Sequence, residues 1–199
     1  GIGVLLDAAE RVDCDLLLVG DGSQRAEVRR AAARRPGRIT VHGWTAHADL
    51  PAILNRMDAL VLPSVERVQR NVVPWIGIPL REQFGRVLAE AMACGVPVIG
   101  SEVGEIPYVI GPAGLTFPAG DAGALGDRLA RMRDDPALAR RLSDLGVVRA
   151  GTEFGWDRVV AAMCRVWARL AGQPRRTDAV PPTLTSDVVG PANREAMLP

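Results

Sequence analysis

Five short apolar runs, each closed by a turn and separated by stretches of helical periodicity, constrain the fold of this chain more than any other feature. They lie at 14–19 (CDLLLV), 38–42 (RITVH), 58–62 (DALVL), 96–100 (VPVIG) and 114–117 (GLTF). Their apolar residues stand mostly side by side rather than alternating, the pattern of strands buried on both faces. Around them the apolar spacing is three to four. Val4, Leu5, Ala8, Ala9 and Val12 predict a first helix, 24–34 a second, and Leu50, Ile53, Leu54 and Met57 a third. Further helices are expected at 85–94, 121–133, 136–149 and 156–170. The last carries Val159, Val160, Met163, Val166, Trp167 and Leu170 on one face. Strands alternating with helices in this way predict an α/β domain, a Rossmann-like doubly wound parallel sheet. Residues 64–81 and 101–107 carry no clear element and read as loops. The predicted domain covers 1–171, and the proline-rich, aperiodic 172–199 is expected to be a disordered tail.

Charge narrows the function classes. With 24 basic and 23 acidic residues the net charge is +1, which offers no broad basic field for nucleic acid. Arg29, Arg30, Arg34 and Arg35 cluster on the second predicted helix and read as a solvated face. Cys14, Cys94 and Cys164 are far apart and odd in number, so neither a zinc site nor a disulfide framework is expected. Reduced thiols and the lack of a signal peptide or membrane span in the sequence point to a cytoplasmic location.

Parallel sheets bind ligands beyond the carboxyl ends of their strands. The first such loop is Gly20-Asp21-Gly22-Ser23-Gln24-Arg25. It begins like a dinucleotide fingerprint, but Arg25 stands where the third glycine belongs, and the second strand ends in His42-Gly43 rather than an acidic residue. A tight turn into a helix is the better reading. The segment 82–98 (EQFGRVLAEAMACGVPV) is more informative. Glu82 and Glu90 flank a helix start, with Gly85 between them. Val87, Leu88, Ala91 and Met92 form the core stripe, and Glu90 lies on its flank. Gly85 leaves the helix amino end open for an anion to meet backbone N–H groups and the helix dipole. Carboxylates beside that point suit sugar and ribose hydroxyls. An anion site between two hydroxyl clamps describes a nucleotide sugar.

The spacing of Glu82 and Glu90 resembles the E-x7-E signature of family 4 of the retaining glycosyltransferases. The phrases at 17–22 (LLVGDG), 41–43 (VHG), 62–64 (LPS), 90–98 (EAMACGVPV) and 114–121 (GLTFPAGD) follow in that family's order, and the resemblance spans roughly residues 1–170. It implies the donor-binding C-terminal half of a two-domain GT-B enzyme, transferring a sugar from a nucleotide-diphosphate sugar with retention and without a metal or other cofactor. By position Glu82 would hold hydroxyls of the transferred sugar and is the catalytic candidate. Backbone amides around Gln83, Phe84, Gly85, Arg86 and Val87 would face sugar and phosphates, and Glu90 would hold the ribose. Gly43 and Trp44 would border the base. His42, at a strand end, and His47, in a polar turn, are read as non-catalytic.

Two departures accompany the resemblance. The family's basic pair that neutralises the diphosphate would precede residue 1, and the loop 65–81 is long. Because the chain opens at Gly1 inside a helical pattern, an N-terminally truncated domain is expected. Its partner would be an acceptor-binding domain or a separate chain, and sugar transfer by the fragment alone would be weak. Peripheral membrane association of the full enzyme stays open. The alternatives are an inactive nucleotide-sugar-binding module, a Rossmann oxidoreductase and a nucleotide-sugar epimerase. Sugar, base, acceptor and linkage are not specified.

Overall fold

The computed structural model describes residues 1–70 and 77–172. Of the expected tail at 172–199, residues 173–199 lie outside the described residues. The chain divides into two compact units, Gly1–Gly151 and Thr152–Pro199.

The first unit opens with α1 (Ile2–Val12), which buries Leu5, Leu6, Ala8, Ala9 and Val12 along one face and stops at Asp13 in the left-handed conformation. Then come β1 (Leu16–Val19), α2 (Arg25–Arg34), β2 (Ile39–Gly43) and the short α3 (Leu50–Leu54), which a single 3-10 turn at His47–Asp49 precedes. After β3 (Leu60–Leu62) the chain forms β4 (Arg67–Arg70) and β5 (Gly77–Leu80), then α4 (Arg86–Ala93), β6 (Val98–Ser101), α5 (Ile106–Ile110) and β7 (Gly114–Phe117). Helices α6 (Ala122–Asp134) and α7 (Pro136–Glu153) follow.

The five predicted strands form as parallel pairs. Strand β1 pairs with β2 from Leu16 opposite Ile39, with an irregularity at Val19 opposite Gly43. Strand β6 lies between β3 and β7, with Leu60 opposite Val98 and Val98 opposite Gly114. All four residues of β6 are buried, as an unbroken apolar run requires of a central strand. One hydrophobic cluster joins Leu16 and Ile39 to Ile99, Phe117, Leu125 and Leu142. Burying a side chain such as Phe117 contributes roughly 1.5–3 kcal/mol relative to leaving it in water. Helix α1 packs on α6. Helix α6 is capped by Asp121, whose side chain accepts the Ala124 N–H at 2.9 Å, and Asp135 accepts from Leu138 N–H at the start of α7.

Two expectations need correction. Residues 64–81 are not a featureless loop: β4 and β5 pair antiparallel, with Arg67 opposite Leu80 and Arg70 opposite Gly77. Both strands are short and their described side chains are exposed, so no buried face marks them in the sequence. The segment read as a loop after β6 runs into the five-residue helix α5, whose Ile106, Val109 and Ile110 are buried.

In the second unit, α8 (Trp156–Leu170) forms where its apolar spacing predicts, and Val160, Met163, Val166, Trp167 and Leu170 are exposed. No helix among the described residues is long and apolar enough to cross a membrane.

Candidate functional site

Three chain segments meet beyond the carboxyl ends of β3 and β6. The first is the turn after β3, at Ser64. Buried Ser101, the last residue of β6, donates its hydroxyl to the Ser64 carbonyl at 2.6 Å. The second is the stretch before α4, and the third is the 102–105 loop. The Glu105 N–H donates to the Glu82 carbonyl at 3.2 Å. Gly104 permits this approach: at φ +56° it sits so close that an added Cβ would stand 1.9 Å from the Glu82 oxygen. Only a residue without a side chain fits both that backbone and that gap.

These segments enclose a cleft of about 750 Å³ lined in part by Glu66, Arg81, Glu82, Gln83, Glu102 and Glu105. Four glutamates and one arginine are among its lining residues, and Arg81 is paired with Glu66, Nε to Oε2 at 2.8 Å. That pair ties the base of the β4–β5 hairpin to the stretch leading into α4. Glu102 accepts from the Thr116 hydroxyl at 3.1 Å.

Helix α4 starts at Gly85, which takes the left-handed conformation at φ +71°. The Glu82 carboxylate, three residues upstream, accepts the N–H of Gly85, the N-cap residue, at 3.1 Å, and no side-chain cap hydrogen bond closes the helix. No side chain caps the amino end expected to stand open, and the Glu82 carboxylate lies beside it. Phe84 and Val87 are half-buried, while Arg86 is exposed on the first turn. Glu90, one turn further along, is not among the cleft-lining residues. Its Oε1 lies 3.2 Å from His47 Nε2.

The structure thus brings Glu82 and Gln83 together in the cleft and sets Glu90 beside the loop that follows β2. That loop begins at Gly43, whose carbonyl accepts the Gly20 N–H, and continues through Trp44, which is 79% exposed. The Gly20 turn is satisfied locally: Asp21 accepts from the Gly22 N–H at 2.8 Å and from Arg25 at 2.9 Å. Sequence reasoning missed the Glu66–Arg81 pair, the closeness of Gly104 to Glu82, and the link from His47 to Glu90. All three join residues distant in sequence. Among the described residues no group of three or more His, Cys, Asp or Glu is arranged to hold a metal ion.

A family model described as Glycosyl transferases group 1 matches residues 1–135. The chain belongs to that family. The match includes every quoted sequence phrase from 17–22 to 114–121, and sets aside the oxidoreductase and epimerase alternatives. Phosphatidyl-myo-inositol mannosyltransferase of Mycobacterium leprae is 30% identical to this group 1 glycosyltransferase domain over 178 residues, 86% of this chain and 43% of that protein. Sucrose-phosphate synthase from Thermosynechococcus elongatus matches with a TM-score of 0.70 at 33% identity, covering 86% of this chain and 42% of that one. Anabaena Alr3699/HepE in complex with UDP matches with a TM-score of 0.69 at 21% identity, covering 86% and 45%, a likeness of fold alone. The group 1 domain spans less than half the length of each of these proteins. Its Rossmann-like architecture is that of the C-terminal domain of a GT-B glycosyltransferase.

Proposed function

We propose that this domain binds the nucleotide-diphosphate sugar of a glycosyltransferase that transfers the sugar with retention of configuration and without a metal. The observation that carries the reading is the start of α4, where Glu82 and the Gly85 N–H meet at the lip of the cleft. In this reading the diphosphate competes with the Glu82 carboxylate for the helix amino end. Released from Gly85, Glu82 accepts hydrogen bonds from the hydroxyls of the transferred sugar and is the catalytic candidate. Backbone amides from Gln83 to Val87 bear on the phosphates, Glu90 accepts from the ribose, and Gly43 and Trp44 border the base. Charge that develops on the departing diphosphate is stabilised by the oriented N–H groups, each such donor being worth about 3–4 kcal/mol in comparable sites. The acceptor is supplied by a second domain or chain.

The relatives support this assignment. HepE is described in complex with UDP, and the Mycobacterium leprae protein is named a mannosyltransferase. The test is thermal unfolding of the chain with ADP, GDP, UDP, UDP-glucose, GDP-mannose and NAD. Raised Tm with one nucleoside diphosphate and its sugar, abolished in Glu90→Ala, is the expected result. Protection by NAD alone, or by none of the six, overturns the reading.

A further inference from the structure

We infer that His47 is a positioning residue for the nucleoside end of the donor site: its imidazole holds Glu90 so that the carboxylate presents its second oxygen to the ribose hydroxyls. The inference rests on the proposed role of Glu90 in binding ribose. His47 Nε2 lies 3.2 Å from Glu90 Oε1, across 43 residues of sequence. Glu90 Oε2 makes no hydrogen bond among the described residues. A carboxylate can accept about four hydrogen bonds. One accepted from an imidazole therefore fixes the rotamer without exhausting the group.

The setting supports more than a chance surface contact. The Glu90 side chain is 26% exposed and that of His47 76% exposed, so a largely solvent-facing imidazole meets a mostly buried carboxylate. His47 opens the 3-10 turn before α3, four residues after Gly43 and three after Trp44. One loop, leaving the carboxyl end of β2, thus carries the residues expected at the base and the residue that grips the ribose ligand. Helix α3 also packs on α4, which keeps the two ends of the contact in register. The neutral imidazole suffices as an N–H donor, so the arrangement operates without a protonated histidine.

The experiment measures binding of ADP, GDP and UDP, each beside its 2′,3′-dideoxy counterpart, to the full chain and to the variants His47→Ala, His47→Gln and Glu90→Ala. A ribose-specific gain in affinity that falls about threefold to tenfold in His47→Ala and recovers in His47→Gln, where an amide N–H replaces the imidazole donor, is the expected result. Dideoxy affinity stays constant across the histidine variants, a split that a general disturbance of the loop would not produce. If Glu90→Ala removes the ribose gain and His47→Ala leaves it whole, the positioning role is overturned and the donor-site reading stands. If Glu90→Ala leaves the ribose gain whole, or no nucleoside diphosphate binds, both are overturned.

Discussion

The Glu82 carboxylate accepts the Gly85 N–H at 3.1 Å, so the residue expected to grip the sugar is tied to the N-cap residue of the helix expected to meet the phosphates. An anion held beside the helix end stabilises the empty site and competes with incoming phosphate. In Glu82→Ala that hydrogen bond is lost, at a cost of about 1 kcal/mol, which lowers Tm by about 2–4 °C in a domain of this size. The same variant exposes the amino end, so inorganic pyrophosphate binds about twofold to fivefold more tightly while sugar transfer by the complete enzyme falls. Calorimetric titration with pyrophosphate reads the first effect. Unchanged or weaker pyrophosphate binding contradicts the competition.

Gly104→Ala places a methyl group 1.9 Å from the Glu82 carbonyl and imposes a side chain on a backbone at φ +56°. The left-handed conformation alone costs roughly 1 kcal/mol in a non-glycine residue. The clash forces the 102–105 loop away from Glu82, so total destabilisation exceeds that figure and nucleotide-sugar affinity drops with it. Urea titration and donor binding measured on the same preparation check both halves. A variant with wild-type stability and affinity refutes the close packing.

Ser101→Ala removes a donor from a fully buried position and strands the Ser64 carbonyl. A loss of about 1–2 kcal/mol is expected. It would appear as a lower urea midpoint at an unchanged slope, because the exposed surface is the same. Ser101→Thr, which keeps the hydroxyl, separates the lost bond from the crowding a methyl would bring.

Burial pushes the Cys14 thiol above its ordinary pKa, with Arg35, a backbone hydrogen bond and Arg38 acting in the opposite direction and Asp15 adding to the rise. The thiol form is thus favoured by folding. Its contribution to stability is fully present below the ordinary thiol pKa and is lost as pH rises through the higher folded value. Alkylation by iodoacetamide should reach exposed Cys164 first, with the Cys14 rate climbing only at higher pH. Peptide mapping across an alkaline pH series gives the order, and equal rates at both cysteines would contradict it.

Much of the fold is legible because its strands are sandwiched. VIGS at β6 is buried throughout and LLLV at β1 is buried or half-buried, so each is a compact apolar word whose ends a turn marks. The β4–β5 hairpin has no such signature: Arg67, Val68 and Gln69 on one strand and Gly77, Ile78, Pro79 and Leu80 on the other are all exposed. Helix α5 is hidden by its length and by Pro107 at its start. At the site, the start of α4 is readable because Gly85 and the two glutamates lie within nine residues of chain. The Glu82–Gly85 hydrogen bond is the exception among local features, since nothing in the spacing alone announces it. The Gly104 approach and the His47–Glu90 contact join residues 22 and 43 positions apart and exist only once the sheet has brought their loops together.

The three segments around the cleft are fastened by two hydrogen bonds, from the Ser101 hydroxyl to the Ser64 carbonyl and from the Glu105 N–H to the Glu82 carbonyl. Side chains at 83 and 105 hang from this frame without holding it, and both residues are exposed. Replacing them alters what the cleft touches while leaving its outline intact. If the proposed donor role holds, a lineage could therefore exchange one sugar preference for another by successive changes at these positions, each intermediate still folded. Selection experiments that randomise 83 and 105 together have a scaffold that tolerates the search.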